Sequence, residues 1–156
     1  TEVLKLKSSV NCTPGSGPRH LIFSNDGKYV YVLQELDGVI SSFSYTDGVL
    51  EKRSETSIVS ADFKEDFGAA DIHISPDGKF LYATNRGKAN DIQRTSTLGK
   101  GPRNFAIDPT GNFLLVGHQY TNDIVIFKRD LKTGMLSEMG KKIDLCSPVC
   151  LVFTKI

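Results

Sequence analysis

Arg19 and His20 stand side by side in "GPRHLIFSNDGKYVYV" (17–32), directly against a short apolar run, and a second "GPR" opens "GPRNFAIDPTGNFLLV" at Gly101. A guanidinium presents a planar fork of donors that matches a carboxylate or phosphate. An imidazole beside it can take or give a proton near neutral pH. The pair therefore suits acid–base work on an anionic substrate, and it equally suits the polar end of a strand. Other chemistries find less support. The chain has no G-x-S-x-G nucleophile elbow and no His/Asp cluster at metal-ligand spacing, so neither metal nor cofactor is expected. Cys12, Cys146 and Cys150 are odd in number, and "CSPVC" is not the CxxC spacing of a redox or zinc site. They read as buried or idle thiols of a reducing compartment, which sets the cytoplasm as the expected location.

The elements that position these residues come from a repeat. "HLIFSNDGKYVYV", "DIHISPDGKFLYA" and "NFAIDPTGNFLLV" align without gaps through a shared turn. Asp and Pro initiate such turns, and Gly accepts the positive φ that closes them. Each copy is thus a β-hairpin. A further pair of strands follows the first copy in "VISSFSYTDGVLEKRSE" and the third in "DIVIFKRDLKTGMLSEMGKK", with turn glycines at Gly48 and Gly134. Four antiparallel strands recurring at roughly 45 residues define an all-β propeller blade. Short runs rich in Val, Ile, Tyr and Phe, broken by Gly, argue against a helical repeat.

The spacing is uneven. Gly27, Gly78 and Gly111 lie 51 and then 33 positions apart, so the middle unit is too short for four strands. A loop and parts of two strands are expected to be missing near Ile92/Gln93. The approximate units are 17–60, 70–100 and 101–145. An outermost strand is expected at Val3–Asn11, and "SPVCLVF" reads as a closing strand within 147–156. This amounts to about three and a half blades, and propellers close with four to eight. The remaining blades of one ring are the expected partners. With 19 basic and 18 acidic residues in 156, the net charge of +1 favours neither nucleic acid nor a membrane surface. No apolar run approaches the ~20 residues of a membrane span, and "TEVLKLKSSV" alternates like a strand rather than a signal peptide.

In a repeat, the polar differences at equivalent positions are informative. Arg19 aligns with Ala70 and Arg103, and His20 with Asp71 and Asn104. Gln34 aligns with Asn85 and His118, and Glu35 with Arg86 and Gln119. All lie at the open hairpin ends, which in a propeller converge on one mouth of the central channel. Arg19, His20, Glu35 and Arg86 are the catalytic candidates. Arg103, Asn85, Asn104 and His118 are the substrate-binding ones. Each has a structural alternative. Arg19 and Arg103 could bond neighbouring-blade carbonyls, Glu35 could simply pair with Arg19, His20 could be a packed, hydrogen-bonded ring, and mid-strand His73 reads as structural. In the link Ser60–Ala70, Phe63 and Phe67 either cover a ligand or pack on a blade edge. Several arginines around one mouth point to a small anionic substrate, because clustered cations repel unless an anion joins them.

The motifs "GPRHLIFSNDGKYVYVLQEL", "AADIHISPDGKFLYATNRG", "GPRNFAIDPTGNFLLVGHQ" and "SPVCLVF" resemble the C-terminal half of the seven-bladed propeller lactonase family, over nearly the whole chain. That family includes propeller-type 6-phosphogluconolactonases and carboxymuconate cyclase. The resemblance implies a seven-bladed ring and metal-free cleavage or formation of a lactone ester in the central cleft. It matches Arg19, Glu35 and Arg86 to the cyclase's two active-site arginines and its glutamate. The family's histidine falls upstream of Thr1, so this chain alone is expected to be inactive. A hydrolase of a phosphorylated sugar lactone is the leading expectation. A lactone-forming cyclase or isomerase, and a propeller that only binds a protein or anion, remain open beside it.

Overall fold

The computed structural model describes residues 4–60, 68–87 and 95–154. They form ten strands and no helix: β1 Pro18–Phe23, β2 Tyr29–Gln34, β3 Val39–Thr46, β4 Val49–Ser57, β5 Ala69–Ile74, β6 Leu81–Asn85, β7 Pro102–Ile107, β8 Phe113–His118, β9 Asp123–Arg129 and β10 Leu136–Asp144. β1 to β4 make one antiparallel four-stranded sheet, β7 to β10 another, and β5–β6 a two-stranded sheet. The first strands β1, β5 and β7 are neighbours in that order, so the sheets radiate from their innermost strands as propeller blades do.

The repeated turn explains the repeated hairpin. Gly27, Gly78 and Gly111 each donate N–H to the carbonyl three residues earlier, at Ser24, Ser75 and Asp108, over 2.8–2.9 Å. Each has φ of 70–74°, which favours glycine. The side chain of that same first residue accepts the N–H of Tyr29, Phe80 or Phe113 from across the turn. Apolar faces then pack between blades. Leu33, Ala69 and Ile72 form a core between the first and second sheets, while Phe105, Leu114, Val116, Val125 and Phe127 fill the third.

Each first strand slips register near its start. The slip falls between Pro18 and His20 in β1, between Ala69 and Ile72 in β5, and between Pro102 and Asn104 in β7. Arg19 and Arg103 are therefore extra residues in bulges, where the strand turns a side chain away from its regular face.

The second blade stops at β6 among the described residues. Beside its outer edge lies a groove of about 1200 Å³ lined by Ile40, Leu81, Tyr82, Leu114 and Leu136, with Arg86 on its wall. The expected gap near Ile92/Gln93, and Phe63 and Phe67 of the link, lie outside the described residues. The strands expected at 3–11 and 147–156 do not form where they are described: 4–11 and 147–154 carry no ladder. The cysteines are free thiols, as expected, with Cys12 partly buried and Cys146 and Cys150 exposed.

Candidate active site

Glu35 follows the last residue of β2 and reaches two cations from different blades. Arg19, on the β1 bulge, donates Nη1–H to Glu35 Oε2 over 3.2 Å, and Arg86, just past β6, donates Nη2–H to Glu35 Oε1. Backbone carbonyls of the second blade fix both guanidiniums. Arg19 Nε bonds Ala70 O at 3.0 Å, and Arg86 Nε bonds Gly68 O at 3.2 Å. Arg19 thus bonds a neighbouring-blade carbonyl and pairs with Glu35, the two structural alternatives that the sequence offers. The three side chains are 22–29% exposed. Arg19 Nη2 and Arg86 Nη1 make no hydrogen bond among the described residues.

Burial alone pushes the Glu35 carboxyl up, but the Arg86 hydrogen bond and the charges of Arg19 and Arg86 outweigh it and hold the group below its ordinary 4.5. Glu35 is ionised at neutral pH. It is a poor proton acceptor and an effective clamp, and the trio keeps one net positive charge.

Arg103, on the equivalent bulge of β7, donates to Gln119 Oε1 at 3.2 Å and pairs with no carboxylate among the described residues. Asn85 Oδ1 accepts the N–H groups of Gly68 and Gly87, shaping the loop that carries Arg86, while its Nδ2 has no partner among the described residues.

The His20, Asp71 and Asn104 positions, equivalent in the three blades, meet. His20 Nδ1 lies 2.8 Å from Asp71 Oδ1, and Asn104 Nδ2 donates to Asp71 Oδ2 at 2.5 Å. Asn104 Oδ1 in turn accepts Leu151 N–H at 2.6 Å. His73 joins Asp71 through Nε2 at 3.0 Å and sets its ring edge-on to Phe105, a packing role as the sequence suggests. Asp71 entered the sequence reading only as an alignment partner. Its signal there was a carboxylate at the position filled by His20 and Asn104.

His118 is not at the mouth. It is fully buried, with Nδ1 2.7 Å from Asp123 Oδ1, and Asp123 also takes Lys142 and Thr121. His118 holds the same register position as Asn85, but the loop at Gly99 packs against its ring and seals it into the blade. Burial drives the His118 pKa below its ordinary 6.5 despite the Asp123 carboxylate.

Radiating antiparallel sheets with a guanidinium–carboxylate–guanidinium cluster at their inner ends are the arrangement of propeller blades. The chain belongs to the seven-bladed β-propeller lactonase family: the family model described as "Lactonase, 7-bladed beta-propeller" matches residues 1–153. It is 42% identical to a 6-phosphogluconolactonase of Formosa agariphila, covering 90% of this chain and 44% of that protein. It is 35% identical to the 6-phosphogluconolactonase of Bacillus subtilis over 168 aligned positions, covering 97% of this chain and 48% of that protein. The solved structure of a periplasmic gluconolactonase from Pseudomonas aeruginosa superposes with a TM-score of 0.87 at 34% identity, covering 94% of this chain and 45% of that one. The chain spans about half the length of the curated relatives it matches.

Proposed function

We propose that this chain supplies the Arg–Glu–Arg face of a lactone-hydrolysing cleft whose substrate is a phosphorylated sugar lactone. The observation that carries the reading is Glu35 held between Arg19 and Arg86, with one guanidinium nitrogen of each unpartnered among the described residues. Water adds to the lactone carbonyl, its oxygen bonding to that carbon while the carbonyl oxygen gains negative charge. Arg19 Nη2 and Arg86 Nη1 stabilise that charge, and Glu35 keeps the two donors in place so that little reorganisation accompanies the step. His20 takes the proton from the attacking water. The carbon–ring-oxygen bond then breaks, the ring oxygen takes back the proton held by His20, and the new carboxylic acid releases its own proton to solvent and leaves as its carboxylate.

Charge supports the phosphorylated substrate. The trio carries one net positive charge and Arg103 a second, against roughly −1.5 to −2 on a phosphate monoester at neutral pH. The P. aeruginosa neighbour, a gluconolactonase by its title, favours a second reading in which the lactone carries no phosphate. Location follows chemistry less closely. The free thiols support a reducing cytoplasm, and no helix among the described residues is long and apolar enough to cross a membrane.

The test is lactone opening by the complete translation product containing these residues. Arg19→Ala and Arg86→Ala, checked for folding, are each expected to lower kcat about 10²–10³-fold. Arg103→Ala is expected to erase the preference for the phosphorylated lactone while sparing the unphosphorylated one. Full activity in both Arg19→Ala and Arg86→Ala contradicts the proposal.

A further inference from the structure

We propose that Asp71 is the positioning residue of this site: it holds His20 in the tautomer that leaves Nε2 open to the channel. The catalytic consequence rests on the lactonase reading above, whereas the pairing rests on geometry alone.

Asp71 is 6% exposed and meets five donors. Oδ1 faces His20 Nδ1 at 2.8 Å and Ile72 N at 3.0 Å. Oδ2 faces His73 Nε2 at 3.0 Å, Asn104 Nδ2 at 2.5 Å and Phe105 N at 3.2 Å. Two of these are backbone N–H groups and one is a side-chain amide, none of which can accept a proton. An ionised carboxylate satisfies all five, because it only accepts. His20 must then donate from Nδ1 and His73 from Nε2. A neutral His20 consequently carries its basic lone pair on Nε2, the nitrogen without a partner among the described residues. Which ring nitrogen is basic is set by the hydrogen bond at the other.

The position is also rigid. Asp71 N–H is bonded to Thr84 Oγ1 at 3.2 Å, so β6 fixes the backbone while β5, β7 and β1 fix the carboxylate. Arg19 Nε bonds Ala70 O next door. Adjacent residues of β1 are thus pinned to adjacent residues of β5, and the ring of His20, 43% exposed, is held beside the anchored guanidinium. Burial pushes the Asp71 carboxyl up, yet the bonds from His73, His20 and Phe105 N hold it below its ordinary 3.8, in agreement with an acceptor-only role.

Two measurements on the complete protein decide the matter. The first needs no altered Asp71: long-range ¹H–¹⁵N correlation of the imidazoles, with His20→Gln identifying the resonance. Neutral His20 is expected to show a protonated Nδ1 and a bare Nε2; the opposite tautomer overturns the proposal whatever the activity. The second is lactone opening by Asp71→Asn. A folded variant is expected to lose about 10²–10⁴-fold in kcat with KM within about threefold, as loss of the orienting acid does where it fixes a catalytic histidine. In a His20→Ala background Asp71→Asn is expected to add no further loss. A wild-type-like kcat, or a full additional loss in that background, overturns it. If the wild type opens no lactone, the lactonase reading falls, and the tautomer alone then judges the pairing.

Discussion

His118 and Glu35 occupy neighbouring positions in the repeat pattern, yet one is sealed in a blade and the other clamps two arginines. That contrast shows what a sequence alone conveys about single residues. Arg19, Glu35 and Arg86 were legible because the repeat put all three at the open hairpin ends. The face His118 takes was not legible, since it depends on how the loop at Gly99 packs against the ring. Replacing His118 by Ala is expected to lower stability by about 2–4 kcal/mol in urea unfolding, leaving the Arg19–Glu35 pair intact. The titration sign is also fixed. His118 is held neutral in the folded state, with its pKa below 6.5, so the unfolded chain takes the proton first. Stability is then full above about pH 6.5 and falls as the pH drops below it. His118→Gln is expected to flatten the urea midpoint between pH 7 and 5, and an unchanged slope contradicts this. Asp71, with its pKa below 3.8, adds a second loss that begins only below about pH 4.

At the scale of elements, hairpins and their turns follow from "SNDG", "SPDG" and "DPTG" with little ambiguity. The bulges that aim Arg19 and Arg103 do not, because a register slip is decided by pairing with β2 or β8 rather than by local composition. Arg129 was equally hidden. It lies on β9 in a stretch that reads as an ordinary outer strand, yet it is 2% exposed. Its guanidinium bonds Tyr82 Oη at 2.8 Å, Gly111 O at 2.9 Å and Asp77 at 3.2 Å, and lies over Phe80, joining the third blade to the second. Arg129→Ala strands these partners and is expected to cost about 3 kcal/mol or more in denaturant melts. Gly99→Ala tests the inner loop: its Cβ falls 2.4 Å from His118 Cγ, and the expected loss is about 1–3 kcal/mol. A neutral result at either position removes the contact from the account.

For the whole molecule, uneven turn spacing and the two-stranded second sheet describe the same feature. The alignment to the B. subtilis relative is longer than this entire chain, so that relative has residues without a counterpart here. The groove beside β6 flanks the open edge of the two strands described there. The blades, and the meeting of the His20, Asp71 and Asn104 positions at one end, were legible from the repeat, whereas the role of Asp71 as their shared acceptor needed the blades in three dimensions. The most direct measurement is the rate at which the complete protein opens 6-phosphogluconolactone, set against spontaneous hydrolysis at the same pH. A saturable rate well above that background is expected. A rate equal to the background contradicts the lactonase reading.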